Sequence, residues 1–181
     1  MPLHRSRKAA LLATLGLATM IFATAPAAAE EATATLKSPQ GDTVGTVVLS
    51  ETPHGVLLAV KIADLPPGPH AFHIHAVGDC TAPDFKSAGG HYNPAKHQHG
   101  IENPNGKHAG DLPNIHVSAN GMQELEVLAE AVTLTDGGAR ATLFDADGSA
   151  IVVHAGADDY ASDPAGAAGA RIACGVVELI N

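Results

Sequence analysis

Short segments of alternating apolar and polar residues dominate the chain from residue 30 onwards. This alternation is typical of β-strands, because successive side chains of a strand point to opposite faces of the sheet. Clusters of Gly, Pro, Asn and Asp separate the segments, and no helical periodicity appears before residue 78. The pattern predicts strands over residues 32–37, 43–49, 55–62, 70–77, 115–118, 123–129, 150–154 and 171–180.

Two long irregular stretches, residues 78–114 and 155–170, interrupt these strands. Loops of that length within one domain usually carry function. The dipeptides Asn-Gly at 120–121 and Asp-Gly at 147–148 are strong signals of hairpin turns. We predict an all-β fold, an eight-stranded antiparallel Greek-key β-barrel or sandwich of immunoglobulin-like type with two long functional loops.

The first 29 residues have the composition of a secretory signal. Basic residues come first, an apolar run covers residues 9–23, and the alanines at 27–29 form a typical cleavage site. The apolar run is short for a membrane span, and no cysteine lies near the cleavage point for a lipid anchor. We predict a cleaved signal peptide over residues 1–29 and an exported domain without a membrane span over residues 30–181.

The charge of this exported domain restricts its partners. Removal of the signal leaves seven Lys and Arg against 19 Asp and Glu, a formal charge of −12 with histidine neutral. Such a charge argues against nucleic acid as a partner, because duplex binding needs basic residues facing the phosphates. Both cysteines, Cys80 and Cys174, lie in the exported part, which suggests one disulfide, with two free buried thiols as the alternative.

Histidine is the residue type that indicates chemistry. Ten histidines fall within residues 30–181, far above ordinary usage, and most lie between positions 70 and 116. His73 and His75 are two apart on a predicted strand, so they share a face and could bind one metal ion, although a polar sheet face explains them equally well. The loop that follows supplies His91, His97, His99, His108 and Asp111. Imidazole with one carboxylate suits zinc, copper or nickel better than magnesium or calcium.

Two questions about these histidines stay open at this point. Spacing alone does not choose between His97 and His99 as a metal ligand. His154 stands by itself at the end of an apolar strand, where a lone histidine is more often structural than a ligand.

Several sequence motifs are spread over nearly all of the exported domain. They are LPPGPHAFHIH at 65–75 with GDC at 78–80, GGHYNP at 89–94, HAGDLP at 108–113, VH at 153–154 with ADD at 157–159, and GAAGARIACG at 166–175. Together, and in this order, they resemble the motifs of copper/zinc superoxide dismutases of the bacterial, exported type.

The resemblance implies one copper and one zinc per subunit. The implied copper ligands are His73, His75, His91 and His154. The implied zinc ligands are His91, His99, His108 and Asp111, so that His91 bridges the two ions. Matching intervals between the zinc ligands favour His99 over His97.

Other positions take their roles from the same resemblance. Asp158 is expected to hydrogen-bond His73 and His99 from outside the metal sites. Cys80 and Cys174 are expected to form the intrasubunit disulfide. Arg171 and His91 are the implied catalytic residues, Arg171 as the cation beside the open copper position.

The implied activity is dismutation of superoxide to oxygen and hydrogen peroxide in the periplasm, where it would protect the cell envelope. Copper is alternately reduced and oxidised, zinc is structural, and His91 takes up and donates a proton. The substrate is an anion, so the charge of −12 calls for local positive charge near copper. Lys86, Lys96 and Lys107 flank the metal loop and are candidates for that role.

Alternatives from other functional classes remain. A periplasmic copper or zinc buffering protein would keep the ligands without useful turnover, but it would have no need of Arg171. A copper-only dismutase is disfavoured because all four zinc-ligand positions are filled. Quaternary state is open between a homodimer and a monomer. Among the remaining histidines, His70 is expected to join the sheet to an active-site loop by a hydrogen bond.

Overall fold

The computed structural model describes residues 30–180 and Met1, so the predicted signal peptide lies, apart from Met1, outside the described residues. Within them, regular structure consists of one 3-10 turn at Lys86–Ala88 and twelve strands. The strands are β1 Glu31–Lys37, β2 Thr43–Thr52, β3 Gly55–Ile62, β4 Gly68–His70, β5 Phe72–His75, β6 Ile115–Val117, β7 Gln123–Ala129, β8 Val132–Thr133, β9 Ala141–Thr142, β10 Ala150–His154, β11 Arg171–Val176 and β12 Glu178–Leu179. No helix in residues 30–180 is long and apolar enough to cross a membrane.

Eight of the strands form one antiparallel sheet, which confirms the predicted all-β class. Their order is β5-β10-β11-β1-β2-β3-β7, and β12 also pairs with β1. Strands β1, β2 and β3 follow each other through short turns, and β11 returns after a long connection to lie beside β1. This is the spatial order of a Greek key.

Aliphatic side chains on the inner face of this sheet form the core. On β1 the alternate residues Ala32, Ala34 and Leu36 are fully buried, while the residues between them face outwards. They pack with residues of β2, β3, β5, β10 and β11 in one cluster. Burial of each Val or Leu side chain contributes about 1.5–3 kcal/mol, so a core with few aromatic residues is sufficient.

Both predicted turns are present, with Gly121 N–H donating to the carbonyl of Ser118 and Gly148 N–H to that of Asp145, but neither turn joins two strands that pair with each other. The turn at Gly121 joins β6, which pairs with β4, to β7, which pairs with β3. The turn at Gly148 leads into β10, which pairs with β5 and β11. Both glycines have the positive φ that such turns need, with values of 77° and 65°. The turn residues therefore determined where the chain reverses direction. Burial of the strand faces determined which strands pair with each other.

The first long loop is held against β5 by backbone hydrogen bonds. Ile74 N–H donates to the carbonyl of Gly110 at 3.0 Å, and Tyr92 N–H donates to the carbonyl of Ile74 at 2.8 Å. Gly110 lies so close to Ile74 that a Cβ at this position would overlap the Ile74 carbonyl. Isolated bridges pair His75 with His91 and His73 with Asp111. The loop thus brings its own histidine and aspartate next to those of β5.

The cysteines form a disulfide, as predicted. Cys80 in the first long loop is bonded to Cys174 on β11, with the two Cα atoms 5.7 Å apart. The bridge ties the start of that loop to the strand that carries Arg171.

Candidate metal centre

Strands β5 and β10 supply one side of the candidate metal centre. On β5, Phe72 and Ile74 point into the apolar core, so the alternate residues His73 and His75 share the opposite face. Residue Val152 of β10 pairs with His73, which places His154 at the end of β10 near the same face. The Nε2 atoms of His75 and His154 are 3.4 Å apart. The first long loop covers this face, and His73, His75 and His154 are all buried.

A first group of donors consists of imidazole nitrogens alone. His73, His75, His91 and His154 offer ring nitrogens that all lie within 4.8 Å of one another. His73 Nε2–H donates to Asp158 Oδ2 at 2.7 Å, which leaves the lone pair on Nδ1. His75 Nδ1–H donates to the carbonyl of Gly89 at 3.0 Å, which leaves the lone pair on Nε2. The outer hydrogen bonds therefore orient the free nitrogens of both rings towards the group.

Two of these nitrogens are buried without any partner among the described residues. They are His73 Nδ1 and His91 Nε2. An unpaired buried polar atom costs about 1–3 kcal/mol, so such atoms in a native fold call for a missing partner. A metal ion that prefers nitrogen ligands supplies that partner, and copper fits a donor set of neutral imidazoles.

A second group converges on one carboxylate oxygen. Asp111 Oδ1 lies 2.8 Å from His91 Nδ1, 3.1 Å from His99 Nδ1 and 3.2 Å from His108 Nδ1. Asp111 Oδ2 accepts backbone N–H bonds from Gly100 and His108, which holds the carboxylate in place. Three imidazoles and one carboxylate are a ligand set that suits zinc in a closed site. His91 belongs to both groups, with Nε2 facing the first and Nδ1 the second.

Burial keeps the imidazoles in the form that binds metal. It lowers the pKa of His75 to about 2 and that of His154 to about 3, and repulsion by Arg171 and by neighbouring histidines in their protonated form adds to the effect. Burial likewise lowers the pKa values of His73 and His108. These four rings are therefore neutral at neutral pH, with a lone pair available.

The carboxylates are ionised despite their surroundings. Burial opposes ionisation of Asp111, but hydrogen bonds from His91 and from the backbone N–H groups of Gly100 and His108 outweigh it, so the pKa of Asp111 lies well below its ordinary value. Burial also opposes ionisation of Asp158, but hydrogen bonds from His73 and His99 outweigh it, and its pKa is lowered to about 2. The centre thus combines neutral nitrogen donors with negative oxygen donors.

Asp158 joins the two groups from the outside. Its Oδ2 accepts from His73 Nε2 at 2.7 Å, and its Oδ1 accepts from His99 Nε2 at 2.9 Å. One carboxylate thereby determines the tautomer of a histidine in each group. The cluster of His73, His99 and Asp158 is this hydrogen-bonded bridge.

Arg171 is held beside the first group by two carbonyl oxygens. Its Nη1–H donates to the carbonyl of Phe85 at 2.5 Å, and its Nη2–H donates to the carbonyl of Gly89 at 2.6 Å. The same Gly89 carbonyl accepts the bond from His75, and the backbone of Arg171 is paired with His154. Burial lowers the pKa of Arg171, yet a guanidinium stays charged at any physiological pH. The structure therefore places a fixed positive charge next to His75.

His97 does not join either group. Its side chain is exposed, and its Nδ1–H donates to the carbonyl of Lys107 at 3.1 Å. His99 is fully buried and takes the position next to Asp111. The folding of the loop thus brings His99, and not His97, into the second group of donors.

The three candidate lysines lie at different places. Lys86 is exposed, follows Phe85 near Arg171, and lies 3.0 Å from Asp84. Lys107 Nζ donates to the carbonyl of Asp111 at 3.0 Å, on the side of the second group. Lys96 is exposed and has a left-handed backbone, with φ 56°. Lys86 is therefore the lysine tied most directly to the surroundings of Arg171.

The sequence did not predict the groups that orient these side chains by hydrogen bonds from outside the two donor groups. The carbonyl of Gly89 orients both His75 and Arg171, and Asn114 and Tyr160 hydrogen-bond the backbone and carboxylate of Asp158. A backbone carbonyl has no sequence signal. Asn114 and Tyr160 lie 46 residues apart and meet only when the two long loops come together.

His70 bonds the sheet as predicted, but its second partner lies outside both long loops. It is buried, and its ring nitrogens lie 2.8 Å from the carbonyl oxygens of His154 and Pro66. It therefore joins the end of β10 to the connection before β4.

Comparison with known proteins gives a consistent picture. The family model of copper/zinc superoxide dismutase (SODC) matches residues 43–177. Superoxide dismutase (Cu-Zn) of Caulobacter vibrioides is 48% identical over 167 residues, which cover 92% of this chain and 96% of the relative. Among solved structures, a SOD-like protein from Bacillus subtilis matches with 38% identity and a TM-score of 0.76, over 80% of this chain and 96% of that one.

A Cu/Zn superoxide dismutase from Brucella abortus matches with 35% identity and a TM-score of 0.65, over 82% of this chain and 100% of that one. The matched segment includes both groups of metal donors, the disulfide and Arg171. This chain therefore belongs to the copper/zinc superoxide dismutase family.

Proposed function

We propose that this protein dismutates superoxide at a copper ion held by His73, His75, His91 and His154. A zinc ion held by His91, His99, His108 and Asp111 completes the centre. The observation that carries this proposal is His91, whose two ring nitrogens face one group of donors each. The reaction converts two superoxide ions and two protons into one molecule of oxygen and one of hydrogen peroxide.

The metals and the protein divide the chemistry between them. Bound copper supplies one-electron oxidation and reduction, and bound zinc, which has no redox chemistry, supplies a fixed positive charge and a structural anchor. His73, His75 and His154 offer neutral nitrogens from buried positions on the paired strands β5 and β10. Asp158 holds the ring of His73 by its Nε2–H, so that the free nitrogen cannot turn away.

His91 is the residue through which a proton is delivered. Its Nδ1 lies among the zinc donors, while its Nε2 is buried and has no partner among the described residues. Nε2 can hold a proton when it is not bound to metal and can give that proton to a reduced oxygen species nearby. The second proton comes from solvent.

Arg171 binds and orients the substrate anion. Its guanidinium is fixed by the carbonyls of Phe85 and Gly89 and is only partly buried, so N–H groups remain for an incoming anion. In a domain of charge −12 this local cation offsets the repulsion that superoxide meets at a distance. A metal buffering protein has no use for such a group, and that alternative is not favoured.

The protein acts in the periplasm after cleavage of residues 1–29, and it works there as a homodimer or a monomer. The Cys80–Cys174 disulfide supports an oxidising compartment. Mass spectrometry of the protein recovered from the cell envelope tests the cleavage, with Glu30 expected as the first residue. Light scattering of the same sample tests the quaternary state.

Pulse radiolysis tests the activity itself. The sample is the oxidised chain from Glu30 to Asn181, loaded with one copper and one zinc. We expect rapid second-order decay of superoxide that disappears when copper is removed. Decay no faster than with copper buffered by free histidine would contradict the proposal and favour metal buffering.

A further inference from the structure

The loop segment that carries Asp158 is clamped by a single asparagine. Asp158 N–H donates to Asn114 Oδ1 at 2.8 Å, and Asn114 Nδ2–H donates to the carbonyl of Asp158 at 2.9 Å. Asn114 follows the zinc-site residue Asp111 by three positions. The second long loop is therefore bound, at Asp158 itself, to the end of the first long loop.

Tyr160 connects three parts of the molecule at this clamp. Its backbone N–H donates to Asp158 Oδ1 at 2.6 Å, and its hydroxyl oxygen accepts the backbone N–H of Asn114 at 2.8 Å. Its carbonyl accepts the backbone N–H of Glu102 at 3.0 Å. Its backbone is left-handed, with φ 63°, a conformation that a bulky residue adopts only when its surroundings enforce it. Glu102 and Asn114 lie on either side of the zinc donors His108 and Asp111 in the chain.

Two glycines show how tightly this region is packed. A Cβ on Gly100 would overlap the carbonyl of Tyr160, and a Cβ on Gly166 would overlap the carboxylate of Asp158. Both close approaches occur next to His99, whose Nε2 also lies near the position of a Cβ on Gly166. The carboxylate of Asp158 has little room to move sideways, so its position follows that of Tyr160 and Asn114.

We propose that Tyr160 is a positioning residue that couples the copper and zinc sites, because its hydrogen bonds to Asp158 and Asn114 set the carboxylate that orients His73 and His99 together. The proposal rests on the proposed function, since it requires that both groups of donors bind metal. Tyr160 itself has no described hydrogen bond to a metal donor of either group. Its influence passes only through Asp158 and the backbone of the two loops.

The hydroxyl is the part of Tyr160 that can be removed cleanly. Tyr160→Phe deletes the acceptor for Asn114 N–H and keeps the ring and the backbone bonds. Loss of an outer partner of a metal ligand typically lowers metal affinity 10- to 100-fold. The Tyr160 hydroxyl lies further out, because it acts on Asp158 through Asn114. We expect a fall in zinc affinity of about tenfold. We also expect a change in the copper hyperfine splitting, because the Asp158–His73 bond shifts with the Asp158–His99 bond.

The measurements use the oxidised chain without its signal. Zinc affinity is measured by competition with a chelator, and the copper site by electron paramagnetic resonance of the protein loaded with both metals. Tyr92→Phe is the matched control, since it also removes one partly buried tyrosine hydroxyl, which donates to the carbonyl of Thr142 at 2.6 Å and touches no part of the Asp158 clamp. Asn114→Ala is a second variant, which deletes the clamp from the other side and is expected to change both readouts in the same direction.

The outcomes separate positioning from stability alone. Lower zinc affinity together with an altered copper spectrum in Tyr160→Phe and Asn114→Ala, but not in Tyr92→Phe, supports the proposal. Equal zinc affinity and an unchanged copper spectrum in Tyr160→Phe would overturn it, even if the melting temperature falls. Neither readout needs turnover, so a wild-type protein that binds both metals without dismutating superoxide refutes the proposed function and leaves this test intact.

Discussion

Asp158 is a single side chain that hydrogen-bonds a histidine of each donor group. It accepts Nε2–H bonds from His73 and His99, and both of those rings are fully buried. Removal of the carboxylate leaves two buried N–H groups without an acceptor and frees both rings to turn. The consequence for metal binding is therefore larger than the loss of one hydrogen bond.

Asp158→Ala is expected to lower zinc affinity by about 10- to 100-fold, the usual effect of losing an outer partner of a ligating histidine. Chelator competition measures the affinity. Asp159→Ala is the control, because Asp159 is the adjacent residue, is exposed, and its carboxylate accepts bonds from the turn at Ala161 and Ser162. Equal zinc affinities in the two variants would show that the bridge seen here does not hold the ligands.

The role proposed for Arg171 depends on both its charge and its geometry. Arg171→Ala is expected to lower the second-order rate of superoxide decay roughly 10- to 100-fold, because a hydrogen bond from a charged donor contributes about 1.5–3 kcal/mol. Arg171→Lys keeps the charge but loses the two fixed bonds to Phe85 and Gly89, so an intermediate rate is expected. Pulse radiolysis gives the rates.

Arg140→Ala serves as the control for removal of an arginine. Arg140 is paired with Glu51 and has no described contact with either group of metal donors. A rate for Arg171→Ala that is as high as for Arg140→Ala would contradict the role assigned to Arg171.

The disulfide links two elements that both serve the centre. Cys80 lies in the loop whose Phe85 and Gly89 carbonyls hold Arg171, and Cys174 lies on the strand of Arg171 itself. Replacement of both cysteines by serine frees a loop closed over a sequence separation of 94 residues. The chain-entropy relation assigns such a closure about 4–5 kcal/mol.

Denaturant unfolding of the metal-free protein measures this loss as a lower midpoint. The double replacement is compared with the oxidised wild type, because reduced wild type would add the chemistry of free thiols. An unchanged midpoint would mean that the bridge constrains the unfolded chain far less than its length indicates.

Strand positions were predicted well where one face of a strand is buried and the other is not. Strands β3, β7 and β10 have the predicted bounds, because alternation or an apolar run marks each residue of them. The predicted strand at 70–77 divides into β4 and β5, since Ala71 N–H bonds the carbonyl of Gly156 in the second long loop instead of a strand. Strands β8 and β9 have two residues each, which is too short for an alternation of apolar and polar residues to be recognised.

The metal-free molecule as a whole is expected to lose stability as the pH falls. His75 and His154 have pKa values of about 2 and 3 in the fold, against 6.5 in the unfolded chain. Below pH 6.5 the unfolded chain therefore takes up protons that the folded protein does not, and unfolding becomes easier. Asp158, with a pKa lowered from 3.8 to about 2, adds a loss of the same sign at lower pH.

Each such histidine contributes up to about 1.4 kcal/mol per pH unit across that range. The check is the unfolding midpoint of the metal-free protein between pH 7 and 4, with the protein loaded with both metals as the comparison. Metal ions compete with protons for the same nitrogens. The loss of stability of the metal-loaded protein should therefore begin at a lower pH than that of the metal-free protein. A midpoint that is independent of pH in the metal-free protein would contradict the neutral state assigned to these rings.

Long-range attraction of superoxide is a property of the whole charge distribution. Lys86 is the exposed lysine nearest in the chain to the carbonyl that holds Arg171, within a domain of charge −12. Lys86→Ala is expected to slow superoxide decay at low salt and to change the dependence of the rate on ionic strength.

Lys61→Ala is the matched control for this experiment. Lys61 is also exposed and lies 3.8 Å from a carboxylate, that of Glu124, but it belongs to β3 on the outer face of the sheet. Lys107→Ala, on the zinc side, is the second comparison. The same salt dependence in all three variants and in the wild type would remove Lys86 from the role of attracting the anion.

The sequence by itself determined the all-β class and the donor types, because alternation, turn residues and a histidine-rich loop are local properties of the chain. The motifs also pointed to the pairing of Cys80 with Cys174 and to the family, to which the chain belongs. Contacts between segments distant in the chain were decided by the tertiary structure alone. These include the partners of β6 and β10, the burial of His99 but not His97, and the junction of Asn114, Asp158 and Tyr160. Such contacts form only when burial of the sheet faces brings the two long loops together. No local sequence pattern indicates which of several polar residues is then buried.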